Sequence, residues 1–133
     1  MYVSNSEMPR IGPVAGGVGA LRFAADGTLI QAYPILEGSS LNCAGGPTPW
    51  GTWLSCEEQE EGTVWECDPM GARPAEPRPA LGLFYHEAVT VDSPAGRLYL
   101  TEDRPDVCEA SSTFRRRATS ETALWHWPIP SRS

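Results

Sequence analysis

Asn42-Cys43-Ala44-Gly45-Gly46-Pro47-Thr48-Pro49-Trp50-Gly51-Thr52-Trp53-Leu54-Ser55-Cys56-Glu57-Glu58 is the stretch around which the rest of the chain is organised. Gly45, Gly46, Pro47, Pro49 and Gly51 cannot share a helix, because Gly forfeits backbone entropy there and Pro lacks the N–H a helix needs. The segment therefore reads as an irregular, closely packed loop. Thr52 to Ser55 then brings β-branched and aromatic residues, the composition of a half-buried strand. A thiol and a carboxamide open the stretch and two carboxylates close it. One reading is a cradle that brings Cys43 to the carboxylates of Glu57 and Glu58 around a metal ion. The other is a Gly/Pro corner with a buried cysteine and a solvated acidic hairpin. Neighbours on a regular strand face opposite sides, so only one of Glu57 and Glu58 can point inward unless a bulge re-aims them.

Working outward, short strand-like runs alternate with turn signals. Tyr2 to Ser6 is a short strand, and Gly12 to Gly17 is a loop around Pro13. Val18 to Ala24 and Leu29 to Leu36 flank Asp26-Gly27, a strong hairpin signal. Thr52 to Glu58 and Thr63 to Asp68 form a second hairpin, followed by the turn Asp68-Pro69-Met70-Gly71. Glu60, Glu61 and Glu66 read as its solvated surface. Arg73 to Pro79 is an extended connector. Glu87 to Asp92 and Arg97 to Glu102 form a third hairpin around Ser93-Pro94-Ala95-Gly96. Such a text predicts an all-β antiparallel fold. The hairpins begin at intervals close to the roughly 40–45 residues of a propeller blade.

Composition narrows the function. The chain has 133 residues and a net charge of −7, which disfavours nucleic acid and anionic membrane as partners. The same charge repels a phosphate ester unless bound cations reverse the local field. All ten basic residues are Arg, and 13 Gly with 13 Pro leave little room for long helices. The four cysteines, Cys43, Cys56, Cys67 and Cys108, lack the C-x-x-C spacing of a structural zinc site. Cys56 and Cys67 are candidates for a disulfide across their hairpin. There is no apolar run of membrane-spanning length, and with strand-like sequence directly after Met1 no export signal is expected in this stretch.

Asn42-Cys43-Ala44-Gly45-Gly46, Thr48-Pro49-Trp50-Gly51-Thr52-Trp53-Leu54 and Cys56-Glu57-Glu58 together resemble the signature of the PhoX-type alkaline phosphatases. Tyr2-Val3-Ser4-Asn5-Ser6-Glu7, His86-Glu87-Ala88-Val89 and Leu100-Thr101-Glu102-Asp103 fit the same family, so the likeness runs from about Tyr2 to Asp106. It implies a β-propeller phosphatase that uses calcium and iron, held by a cysteine thiolate and several glutamates. On that resemblance Cys43 becomes an iron ligand. Asn42 joins it as a catalytic residue, giving a carbonyl to calcium or an N–H to a phosphate oxygen. Glu58 is favoured over Glu57 by its place in the motif. Glu87 becomes a further ligand with His86 as its outer partner, and Glu102 and Asp103 offer carboxylates to calcium. Without the resemblance, His86-Glu87 is an ordinary structural pair and Glu102-Asp103 a capped turn before Pro105. Full-length relatives would be exported to the periplasm or the extracellular space.

Residues 1–107 are thus expected to form a partial β-propeller of two to three antiparallel blade units. Because a propeller needs at least about four blades to close, the chain is expected to be a fragment that lacks its remaining blades. Residues 108–133 are a different text. Met1 to Val107 holds six basic and fifteen acidic residues, net −9, whereas Cys108 to Ser133 holds four and two, net +2. That tail departs from the family after the Glu102-Asp103 segment, and it reads as frameshifted or unrelated sequence that packs poorly. The expected function is that of a fragment of a metal-dependent hydrolase of phosphate monoesters, inactive by itself. The alternatives are a non-enzymatic calcium-binding propeller module and a calcium-dependent lactonase-like hydrolase. Iron content separates the first from the other two.

Overall fold

The structure is a computed structural model that describes residues 1–104; the expectations for Cys108 and for the tail at 108–133 lie outside those residues. Among the described residues nine strands run in order: β1 Tyr2–Ser6, β2 Gly16–Phe23, β3 Leu29–Ser39, β4 Asn42–Pro47, β5 Trp53–Glu57, β6 Val64–Cys67, β7 Glu76–Pro77, β8 His86–Asp92 and β9 Arg97–Glu102. A single 3-10 turn, Pro79–Leu81, separates β7 from β8. Every pairing is antiparallel. The strands make three sheets in simple sequence order, β1-β2-β3, β4-β5-β6-β7 and β8-β9. The all-β expectation is met, and these sheets stand where the blade units were expected. Among the described residues, no helix is long and apolar enough to cross a membrane.

The turns form where their residue types place them. At the β2–β3 hairpin Gly27 takes φ 86, and Asp26 Oδ1 accepts from Thr28 N at 2.9 Å. Gly71 and Gly96, at φ 68 and 60, close the turns opened by Asp68 and Ser93. The Asn42–Pro47 segment differs from its expectation: it is strand β4, not irregular loop. Its glycines are there for close approach rather than for turning. A Cβ on Gly45 would lie 2.0 Å from Leu54 O, and one on Gly46 would lie 2.1 Å from Val89 O. The irregular part is confined to Thr48–Thr52, where the Thr48 hydroxyl accepts from Thr52 N at 2.9 Å.

The middle sheet is covered on both faces. On one side Cys67, Trp53 and Trp65 pack with Val18, Ala20, Ile35 and Leu36 of the first sheet. On the other, Leu54, Cys56 and Val64 pack with Val89 and Leu100 of the third. This two-sided burial rules out the Cys56–Cys67 disulfide. Cys67 pairs with Trp53 and Cys56 with Val64, so the two thiols sit on opposite faces, and both are free.

Glu66 is a second correction. Its carboxylate is buried rather than solvated, and it accepts from Trp50 Nε1 at 2.7 Å, Thr52 Oγ1 at 2.6 Å and Arg78 Nε at 2.6 Å. Burial pushes its pKa up, but the bonds from Thr52, Trp50 and Arg78 outweigh that and leave it below the usual value. A depressed carboxyl stabilises the fold above its unfolded pKa, and this contribution is lost as pH falls through the folded value. Stability should therefore drop on acidification below about pH 4.3, the ordinary glutamate value. Glu66→Gln should be less stable at neutral pH and show a flatter acid limb. Urea melts followed by tryptophan fluorescence across that range check both.

Candidate metal centre

Five ligand-bearing side chains meet where the three sheets end side by side. Glu7, Glu58 and Asp103 are each the first residue past a strand, β1 in the first sheet, β5 in the middle one and β9 in the third. Cys43 comes from β4 and Glu87 from β8. Ligand atoms of Glu7, Cys43 and Glu58 lie within 4.8 Å of one another, as do those of Glu58, Glu87 and Asp103. Glu58 belongs to both groups. Cys43 Sγ is also 3.8 Å from Glu87 Oε1.

A fault in the ladder puts Cys43 there. Asn42 pairs with Glu57 and Gly45 with Ser55, so three steps along β4 answer two along β5. The surplus residue makes a bulge at Cys43-Ala44, the usual device for re-aiming a side chain. Farther along β4, Gly46 lets the strand touch the Val89 backbone of β8, two residues beyond Glu87. On the other side of Cys43, Glu58 N donates to Leu41 O at 2.9 Å, fixing the turn that carries the shared carboxylate.

The electrostatics are those of crowded acids. Burial, a hydrogen bond with Glu58 and the charges of Glu58, Glu87 and Glu7 push the Cys43 thiol up to about 12. Burial likewise raises Glu58, helped by Glu87, Glu7 and Asp103, although its bond with Cys43 opposes the rise. Negative charges held this close are relieved by a cation.

The model of the family Alkaline phosphatase PhoX matches residues 2–70, just over half of the 133. The chain belongs to the PhoX alkaline phosphatase family. No curated protein and no solved structure matches it significantly. The PhoX match contains Glu7, Cys43 and Glu58 but ends before Glu87 and Asp103, so these two join the group by geometry.

Not all the residues singled out in the PhoX-like sequence motif reach the cluster. Asn42 is fully buried: its Oδ1 accepts from Ser39 Oγ at 2.5 Å and its Nδ2 donates to Ser55 Oγ at 3.0 Å. Both ends of the carboxamide are engaged in hydrogen bonds within the core. Glu57 is buried too, accepting from Ser40 N at 3.1 Å and Thr63 N at 3.0 Å; it is a backbone clamp. Strand alternation separates it from Glu58, as neighbours on a strand require. His86 is buried against Phe84, with Nε2 on Gly82 O at 3.1 Å, and burial holds it below the usual histidine range. Its Nδ1 has no hydrogen-bond partner among the described residues. Glu102 pairs with His86 across the β8–β9 ladder and lies 4.0 Å from Arg104. The residue the sequence reasoning missed is Glu7. It closes the Tyr2–Glu7 segment quoted for the resemblance, where a carboxylate directly after a strand end was the available signal.

Calcium and iron fit the donor set that is present. Calcium takes oxygen ligands and readily accepts several carboxylates, which Glu7, Glu58, Glu87 and Asp103 could supply. A thiolate suits iron rather than calcium, and Cys43 would provide one next to the carboxylates on giving up its proton to a bound metal.

Proposed function

We propose that this region is the metal-binding part of a phosphatase site acting on phosphate monoesters, with Cys43, Glu58 and Glu87 as its central ligands and Glu7 and Asp103 beside them. The observation that carries the reading is the convergence of a thiol and four carboxylates from three different sheets. A cysteine among carboxylates favours this over a calcium-only structural module, since calcium takes oxygen ligands.

The chain's own residues do three things in this reading. They concentrate negative charge at the sheet ends, so that the field there is set by whatever cations are held. They place ligand atoms of Cys43 and Glu58 within 4.8 Å of each other, so that a cation held by both displaces the thiol proton as it binds. They also keep the group at the rim, where Glu7 and Asp103 are exposed and an ester can approach. Bound cations supply the positive charge that draws in and polarises a phosphate monoester.

The test is metal content and turnover on one preparation. Purified chain incubated with calcium and iron should retain both after desalting, and Cys43→Ser should lose the iron while keeping most of the calcium. Hydrolysis of a chromogenic phosphate monoester is measured on the same samples. Turnover that vanishes in Cys43→Ser supports the phosphatase reading directly. Retention of calcium alone by the wild-type chain, or an iron content that Cys43→Ser leaves unchanged, would sink it in favour of the structural module.

A further inference from the structure

We infer that Asn5 is the positioning residue for Cys43: its carboxamide takes the place of the strand pairing that the β4 bulge removes, and so fixes the direction of the thiol. Within the middle sheet, the bulge takes Cys43 and Ala44 out of the ladder with β5. Buried and half-buried carbonyls need a partner. Asn5 Nδ2 supplies it from the neighbouring sheet, donating to Ala44 O at 2.8 Å and to Cys43 O at 3.3 Å. Cys43 O and Ala44 O belong to the two peptide planes on either side of the Ala44 Cα, so the plane that follows the Cys43 Cα and the next one along the bulge are held by one group.

The amide is itself oriented. Trp53 Nε1 donates to Asn5 Oδ1 at 3.0 Å, and an indole nitrogen can only donate. That bond assigns the oxygen of Asn5 to Trp53 and leaves the nitrogen for the two carbonyls; the flipped amide would set N–H against N–H and oxygen against oxygen. Trp53 sits on β5 opposite Pro47 at the far end of β4, and it packs into the core between the first and middle sheets. Asn5 lies on β1, two residues before Glu7. One short strand therefore carries both a carboxylate of the cluster and the clamp that aims its thiol.

The proposal rests on the reading of Cys43 as a metal ligand, and its test is arranged so that the two can fail separately. Asn5→Asp keeps the size of the side chain but replaces the donor with an acceptor facing two carbonyls. Trp53→Phe keeps Asn5 and the ring packing but deletes the donor that orients it. In the first arm, cobalt(II) is titrated into the full chain and the thiolate-to-cobalt charge-transfer absorption is followed, with Cys43→Ser as the blank. Asn5→Asp should weaken the cobalt affinity about tenfold or more, as loss of a group that orients a ligand does, and should dim the band at saturation. Trp53→Phe should shift both in the same direction by less.

The second arm needs no metal: the rate of iodoacetamide alkylation at Cys43 is read by peptide mass spectrometry, with buried Cys56 and Cys67 as internal references. Release of the bulge should speed Cys43 several-fold and leave the references unchanged. If wild-type chain gives no band that depends on Cys43, thiol ligation fails, and the alkylation arm alone still decides the role of Asn5. If Asn5→Asp and Trp53→Phe remain folded with wild-type alkylation rates at Cys43, Asn5 merely joins two sheets and the proposal is overturned, even if their melting temperatures fall.

Discussion

Gly46→Ala is expected to unfold most of the chain at room temperature, or to lower its stability by about 3 kcal/mol or more. The added Cβ would lie 2.1 Å from Val89 O and 3.3 Å from Val89 C. Both atoms are backbone, so no rotamer change makes room. Relief requires β4 and β8 to separate, which opens the core of Leu54, Cys56, Val64, Val89 and Leu100. Gly19→Ala is the matched control. It too sits in a strand, but its nearest neighbours are at 3.9 and 4.0 Å, ordinary contact distance. That substitution should be neutral, or stabilising by up to about 1 kcal/mol through the unfolded state. Urea denaturation of the two variants side by side provides the measurement. Equal stabilities would mean that β4 and β8 do not touch as described.

The second large effect separates two adjacent glutamates. Glu58→Gln should weaken calcium binding about tenfold or more, because ligand charge sets affinity at such sites and Glu58 is shared by both groups of three. The metal-free chain should lose no stability and should gain some at neutral pH. Glu58 has a raised pKa, so its ionisation opposes folding as pH rises through the folded value, and a neutral amide removes that opposition. Glu57→Gln should do the reverse. Its carboxylate caps the backbone N–H groups of Ser40 and Thr63, and an amide can accept from only one of them. A buried donor left without a partner costs about 1–3 kcal/mol, while calcium binding by the folded fraction should be little changed. Calorimetric calcium titrations paired with melts of the same samples test the pair. A calcium defect in Glu57→Gln as large as that in Glu58→Gln would overturn the assignment.

What could be read in advance follows from how local each signal is. The first and third hairpins were legible because Asp26-Gly27 and Ser93 to Gly96 each carry their own turn chemistry, and the end of the second because Asp68 to Gly71 does. The choice between Glu57 and Glu58 followed from strand alternation and the motif. Asn42–Pro47 was misread because Gly and Pro speak against regular structure locally. The reason for the glycines is the closeness of Leu54 and Val89, one of them over 40 positions away in the chain. Glu66 was misplaced for a similar reason: its partners Trp50, Thr52 and Arg78 are assembled only once the sheet has formed. Asn42 looked like a ligand because it stands beside Cys43. Asn42 instead turns into the core to Ser39 and Ser55, while the bulge at Cys43-Ala44, which leaves no mark in composition, re-aims the thiol.

The middle sheet, covered on both faces, has a consequence for how the molecule opens. Strand β5 is paired along both edges and packed above and below, so its amides should exchange with solvent only through global unfolding. Among the described residues the β8–β9 hairpin packs on the middle sheet alone, so its amides should be the less protected. The acidic cluster spans this boundary, with Glu7 on the first sheet, Cys43 and Glu58 on the middle one, and Glu87 and Asp103 on the third. A cation bound by all of them would be lost whenever any one sheet lets go. Occupancy therefore penalises every partial opening by the same linkage free energy, fusing three units of unequal protection into one that exchanges at a common slow rate.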